Sequence, residues 1–216
     1  YLKELFQDRE ILKLPFQKVL GRYIAWRRTP KIQERYEEIG QYSPTKRIMD
    51  DQSAEIAQKL DHIHPQSAPH VCVSGFRYCS PRTSEMIEQY NSAEKIILFS
   101  QYPQHSCSTS GSSFCDAYRW LDKQKDEAYR DRISVIDQWW DRSDYTELWA
   151  MLVKRKFDEM KSATGLKDKD IRIIYSAHSL PESYCTEKGD KYNEEIRGSF
   201  ERIEKVLQSL GLEHEG

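Results

Sequence analysis

Apolar side chains near the start of the chain recur every three to four positions. Leu2, Leu5 and Phe6, then Phe16, Val19, Leu20, Tyr23 and Ile24, follow the helical period. The pattern predicts one helix, a break before Pro15, and a second helix running to Arg28. Thr29-Pro30 is expected to open a third helix that ends near Gly40, with the glycine as its C-terminal cap. A fourth is predicted over 50–60.

Beyond residue 65 the period changes. Short apolar runs, each followed by a loop and a helical stretch, occur at 71–73, 95–99, 133–136 and 171–175. Helices are predicted at 84–90, 113–125, 145–160 and 194–210. This alternation predicts an α/β fold, a parallel sheet flanked by helices and joined by right-handed crossovers. Polar loops such as 163–170 read as ordinary helix-to-strand connections. In such a sheet, ligands sit beyond the carboxyl ends of the strands. The four segments to search are therefore 74–78, 100–111, 137–140 and 176–181.

Composition narrows the class. The 216 residues suffice for a buried core, and 12% aromatic content is too rich for a disordered tail. Lys and Arg number 33 against 35 Asp and Glu, so the chain has no strongly basic footprint and no nucleic-acid partner is expected. The longest clean apolar run, Ile96-Ile97-Leu98-Phe99, is far below a membrane span. Five cysteines, Cys72, Cys79, Cys107, Cys115 and Cys185, lack CxxC spacing, which argues against a disulfide framework or a self-contained zinc site. Cys72 and Cys115 read as small buried residues.

Among candidate groups, His178 follows an apolar run and lies between the small residues Ala177 and Ser179. An imidazole there can accept a proton, ligate a metal, or merely bond a loop carbonyl. Residues 101–111 are rich in hydroxyls and lead into a helix, so a phosphate cradle is conceivable against the plainer reading of a capped helix start. No GxGxxG, GxxxxGK[ST] or GxSxG occurs, which weakens nucleotide binding and serine hydrolysis. Arg27, Arg28 and Arg77 are candidates for pairing a carboxylate-bearing ligand, although surface arginines are commoner. Asp61, His62 and His64 resemble a metal cluster, with a solvated turn as the plainer alternative. The apolar face of residues 2–26, which carries Phe6, Phe16, Tyr23 and Trp26, fits either core or an interfacial lip.

Several strings resemble the ferrochelatase family in order and spacing from the first residue to nearly the last. They are Arg27-Arg28-Thr29-Pro30-Lys31-Ile32-Gln33-Glu34-Arg35-Tyr36, Gly75-Phe76-Arg77-Tyr78, the 101–113 loop, Ser176-Ala177-His178-Ser179-Leu180-Pro181, and Gly189-Asp190-Lys191-Tyr192. Cys107 favours the eukaryotic branch. The resemblance implies a Rossmann-like, class II chelatase-like domain, one of the usual two, which insert ferrous iron into protoporphyrin IX in the last step of haem synthesis. His178 matches the family's central histidine, assigned either to taking pyrrole protons or to handling the metal. Arg28, Tyr36, Ser43, Arg77, Tyr78 and Tyr102 match porphyrin-contacting or pocket positions. Cys107 matches the solitary N-terminal ligand of a [2Fe–2S] cluster whose other cysteines lie C-terminally. The resemblance also implies a mitochondrial protein associated with the inner membrane.

Three departures stand out. The family's Gly-Gly-Gly-Ser-Pro is here Gly40-Gln41-Tyr42-Ser43-Pro44, so bulky residues replace two glycines. A family histidine of the iron path is Arg142, a fixed cation. The family's second domain lies outside these 216 residues, so this stretch alone is expected to be inactive and to hold no cluster. The expected organisation is an N-terminal helical segment (1–65), a Rossmann-like α/β domain (66–182) and a connecting helix (183–216). Protoporphyrin or haem, Fe²⁺, a membrane surface met through residues 2–26, and a homodimer are the expected partners. A catalytically impaired porphyrin- or haem-binding protein is the alternative reading.

Overall fold

The computed structural model describes residues 1–9, 11–40, 43–124 and 127–212. In chain order the helices and strands are α1 (Leu2–Leu5), α2 (Gln17–Glu38), α3 (Thr45–Ile63), α4 (Thr83–Gln89), β1 (Ile96–Phe99), α5 (Ser110–Leu121), α6 (Glu127–Asp131), β2 (Ile133–Ile136), α7 (Ser143–Thr164), α8 (Glu182–Lys188) and α9 (Tyr192–Ser209). The strands β1 and β2 are parallel: Ile96 N–H donates to Arg132 O at 2.9 Å, and Ser100 N–H donates to Ile136 O at 2.9 Å. The chain is thus mixed α/β, with a small parallel sheet and flanking helices. It divides into unit 1 (residues 1–96 and 112–134) and unit 2 (97–111 and 135–216).

In unit 1 the predicted break at Thr29-Pro30 is absent, because α2 runs through it. Pro30 has no N–H for the Trp26 carbonyl, and the Thr29 hydroxyl donates to Ala25 O at 2.7 Å one position earlier. The helix is held from one side instead. Gln17, Gly21 and Ala25 are its buried residues, one turn apart. Gln17 Nε2 donates to Phe6 O at 2.8 Å, and a Cβ on Gly21 would lie 2.6 Å from that same oxygen. The backbone of residue 6 comes so close that only glycine fits at 21. The large apolar residues point elsewhere: Phe16 is 85% exposed and Trp26 73% exposed, with Val19 and Tyr23 also exposed. Of the two readings for residues 2–26, this stripe is therefore surface and not core. Gly40 does follow the helix at φ 96°, the conformation expected of a terminating glycine.

In unit 2, α7 packs along α9 around Ala150, Phe157, Ile171, Ile203, Leu207 and Leu212, with Val153, Ile173, Tyr175 and Val206 against them. The predicted strand at 171–175 has no ladder, and the same holds for 71–73. Its two-residue period is nevertheless real. Ile171, Ile173 and Tyr175 face the helical core, whereas Ile174 is 87% exposed. One-sided packing on helices satisfies that pattern without a neighbouring strand. Among the described residues, β1 and β2 are the only ladder strands. The 163–170 connection turns at Gly165, at φ 71°, as the loop reading expects.

Candidate functional site

Arg77 and Tyr78 form the best-connected group of unit 1. Arg77 Nη2 donates to Asp8 Oδ2 at 2.9 Å, its Nη1 lies 3.3 Å from Asp116 Oδ1, and its Nε donates to Ser112 Oγ at 3.2 Å. Tyr78 Oη donates to Asp8 Oδ2 at 2.7 Å, and Ser112 Oγ donates to the same oxygen at 2.7 Å. The guanidinium also lies 5.0 Å from the Tyr78 ring centroid. All three Arg77 nitrogens thus have partners within the protein. Burial, then the nearby Asp8 carboxylate, raises the Tyr78 phenol well above its ordinary pKa, with Ser112 and Arg77 opposing. Asp8 is the residue that sequence reasoning missed; nothing near it in sequence marks a lone aspartate in a helix–loop segment as a buried carboxylate.

The other porphyrin candidates of unit 1 are looser. Arg28 is exposed on α2, its guanidinium 5.8 Å from the Phe6 ring centroid. Tyr36 is half-buried on the same helix. Ser43 is exposed and accepts the Thr45 N–H at 3.3 Å at the start of α3. Gln41 and Tyr42 lie outside the described residues. Asp61 bonds His70, through its backbone N–H and Nδ1 at 2.7 Å each, and not His62 or His64. Cys115 is exposed and Cys72 half-buried, against the expectation that both are buried. Cys115 lies two residues from the buried Ala117 and so falls on the outward side of α5.

In unit 2, His178 is exposed in the segment after residue 175. The loop after β1 is tightly shaped. The indole N–H of Trp139 donates to Ser100 O at 2.9 Å, Trp139 N–H donates to Pro103 O at 2.8 Å, and Ser100 Oγ accepts Tyr102 N–H at 3.1 Å. These bonds leave the Tyr102 side chain exposed. Further on, Asp190 Oδ2 accepts Ser106 Oγ at 3.0 Å and Cys107 N–H at 2.7 Å. A protein carboxylate thereby takes the donors that the phosphate-cradle reading needs. His105 N–H donates to Glu195 Oε2 at 2.7 Å, and its Nδ1 lies 3.5 Å from Asp137 Oδ2. Burial raises the Glu195 carboxyl above its ordinary pKa, with Asp137 and Asp190 adding to this and His105 opposing. Arg142 immediately precedes α7 and binds Asp144 through Nε and Nη2, both at 3.0 Å.

Among the described residues no three His, Cys, Asp or Glu side chains converge on one point, and a [2Fe–2S] cluster needs four ligands. Cys107 by itself does not fit such a group.

The chain is a mixed α/β protein that has a shielded Arg77–Tyr78–Asp8 group in unit 1 and an exposed histidine, His178, in unit 2. The ferrochelatase family model matches residues 1–215. The chain is 39% identical to the mitochondrial ferrochelatase of Gallus gallus over 209 residues, 96% of this chain and 51% of that protein. It is 38% identical to that of Homo sapiens over 212 residues, 97% of the chain and 48% of that protein. With that of Dictyostelium discoideum it shares 34% over 231 residues, 100% of the chain and 53% of that protein. The chain belongs to the ferrochelatase family. It spans about half the length of the curated relatives it matches.

Proposed function

We propose that the full-length protein inserts Fe²⁺ into protoporphyrin IX, and the observation that carries this reading is the family match over residues 1–215. As the metal enters the macrocycle, two pyrrole protons leave, so charge balances and no oxidation state changes. A base beside the ring assists that exchange, and an imidazole is suited to it near neutral pH. His178 is the proposed group, either as proton acceptor or in handling the metal; its exposure and its position in Ser176–Pro181 support this. Arg28, Tyr36, Ser43, Arg77, Tyr78 and Tyr102 are the proposed porphyrin contacts. The exposed Arg28 is suited to a propionate, whereas the internally bonded Arg77 and Tyr78 are suited to shaping a wall.

The relatives' names support a mitochondrial location. The exposed stripe Phe16, Val19, Tyr23 and Trp26, flanked by Lys18, Arg22 and Arg27, supports contact with an inner-membrane surface through residues 2–26. No helix among the described residues is long and apolar enough to cross a membrane. Cys107 is proposed as a cluster ligand only together with cysteines from elsewhere in a full-length protein, and a homodimer is proposed on the same footing.

Arg142 favours a second reading. It is a fixed cation bonded to Asp144 where the family pattern has a histidine, and a cation there opposes a path for Fe²⁺. In that case the protein binds porphyrin without metallating it.

Zinc or ferrous insertion into a soluble porphyrin, followed by its Soret band, separates the readings. The full-length protein is expected to turn over, and His178→Ala to lose about 100-fold or more in kcat. Turnover by His178→Ala within threefold of the parent overturns the role of His178. Porphyrin binding without insertion selects the second reading.

A further inference from the structure

The charge of Arg77 is overcompensated by its own neighbours in unit 1. Its guanidinium faces two carboxylates, the almost fully buried Asp8 at 2.9 Å and the partly exposed Asp116 at 3.3 Å. One cation against two anions leaves the group with a net negative charge. The Arg82–Glu4 ion pair, which also joins the N-terminal segment to this turn, is neutral and does not change that sign. The donors are turned inward as well. Tyr78 Oη and Ser112 Oγ have one proton each, and both give it to Asp8 Oδ2 at 2.7 Å. The Ser112 oxygen in turn accepts Arg77 Nε–H at 3.2 Å. An arginine that grips a ligand carboxylate offers it one edge of its fork, whereas here Nε, Nη1 and Nη2 all meet protein oxygens. Arg28 is the contrast, exposed on α2 with its guanidinium over the Phe6 ring.

We infer that Asp8 and Asp116 are specificity-determining residues: by overcompensating Arg77 they make the Arg77–Tyr78 wall negative, so that it rejects a ligand edge bearing carboxylates. The inference rests on the proposed porphyrin reading and names which porphyrins that site takes. A porphyrin with two propionates on neighbouring pyrroles turns a carboxylate-free edge to the wall. One with propionates on all four pyrroles sets a carboxylate against a group that is already negative, and like charges at close range disfavour it. Selection here comes from repulsion, which the carboxylates supply, and not from an attraction that Arg77 would supply if it stood by itself.

The test measures, by fluorescence quenching, the binding of mesoporphyrin, with two propionates, and coproporphyrin, with four, to the full-length protein. The parent is expected to bind the dicarboxylate about tenfold or more tighter. Asp8→Asn and Asp116→Asn each remove one negative charge at nearly constant size, and each is expected to narrow that ratio about fivefold. Adding Arg77→Gln to Asp116→Asn restores the net negative charge and is expected to restore the parent ratio. A parent that binds both porphyrins equally overturns the inference, and so does an unchanged ratio in both single variants. Equal narrowing in the double variant also overturns it, because a loosened wall and not a released guanidinium would then be the cause. If Asp8→Asn fails to fold, Asp116→Asn at the more exposed carboxylate decides. A parent that binds neither porphyrin defeats the proposed function and this inference with it. Dicarboxylate binding by the parent upholds the porphyrin reading, and the ratio then judges the two aspartates by itself.

Discussion

Arg77 and Asp8, 69 positions apart in sequence, form a hydrogen-bonded ion pair at 2.9 Å in which both side chains are largely shielded from water. The pair ties the N-terminal segment to the turn that carries Tyr78. A second tie of the same kind joins Arg82 to Glu4.

Asp8→Ala leaves Arg77 with Asp116 as its remaining carboxylate and removes the acceptor of three donors. A loss of about 3 kcal/mol is expected in urea unfolding, the size seen when one partner of a buried pair is deleted. The Tyr78 phenol provides a second readout. Its raised pKa means that its contribution to stability is present below the ordinary phenol value and is lost as pH rises through the folded value. Because the Asp8 charge adds to that rise, Asp8→Asn should bring the Tyr78 titration down at 295 nm. Burial keeps it above the ordinary value.

Trp140 packs closely against Gly198 of α9, and the Arg202 guanidinium sits 5.6 Å from its ring centroid. A Cβ on Gly198 would come within 2.5 Å of the indole Cζ3. Gly198→Ala is therefore expected to cost about 1–3 kcal/mol. In the Trp140→Leu background the same change should cost clearly less. A thermal-unfolding double-mutant cycle measures the difference, and additive effects would contradict the contact.

Glu195 has a carboxyl raised by burial, so the sign is opposite to that of a paired surface acid. Its favourable contribution is complete below the ordinary glutamate value and is lost as pH rises through the raised folded value. Glu195→Gln keeps an oxygen for the His105 N–H but cannot ionise. The variant should match the parent near pH 4 and exceed it in melting temperature at pH 8, with the gap opening between the ordinary and the raised value.

Pro30 sits inside α2, where it removes a backbone donor. Pro30→Ala should stabilise the protein by about 1–3 kcal/mol in chemical unfolding, because alanine restores the N–H and carries the best helix propensity. No gain would mean that the N-terminal half of α2 is held by Gln17, Gly21 and Ala25 independently of the residues beyond position 30.

Most helices were legible from period alone: 84–90 corresponds to Thr83–Gln89, 145–160 to Ser143–Thr164 and 194–210 to Tyr192–Ser209. Where reading failed, the failing signal was local. Proline at 30 reads as a boundary because the rule concerns one missing hydrogen bond, yet a 22-residue helix anchored at Gln17, Gly21 and Ala25 tolerates that loss. The runs at 71–73 and 171–175 have strand composition, but a ladder requires a partner strand that composition does not specify. The short α8 was not predicted, because seven residues give too little period to recognise.

For the candidate site, sequence by itself determined the family, through motifs whose order spans residues 27–192, and determined which residue types stand at each position: a histidine at 178, a cysteine at 107, an arginine at 142. Tertiary structure alone decided their partners. It set Asp8 against Arg77 and Tyr78, placed the Asp190 carboxylate on the donors of the 106–107 turn, and turned the stripe of Phe16 and Trp26 to solvent. The physical reason is range. Helical period and motif spacing are written in neighbours a few residues apart, while an ion pair 69 positions long, or a carboxylate 83 positions from its donor, exists only once packing has brought the two groups within 3 Å.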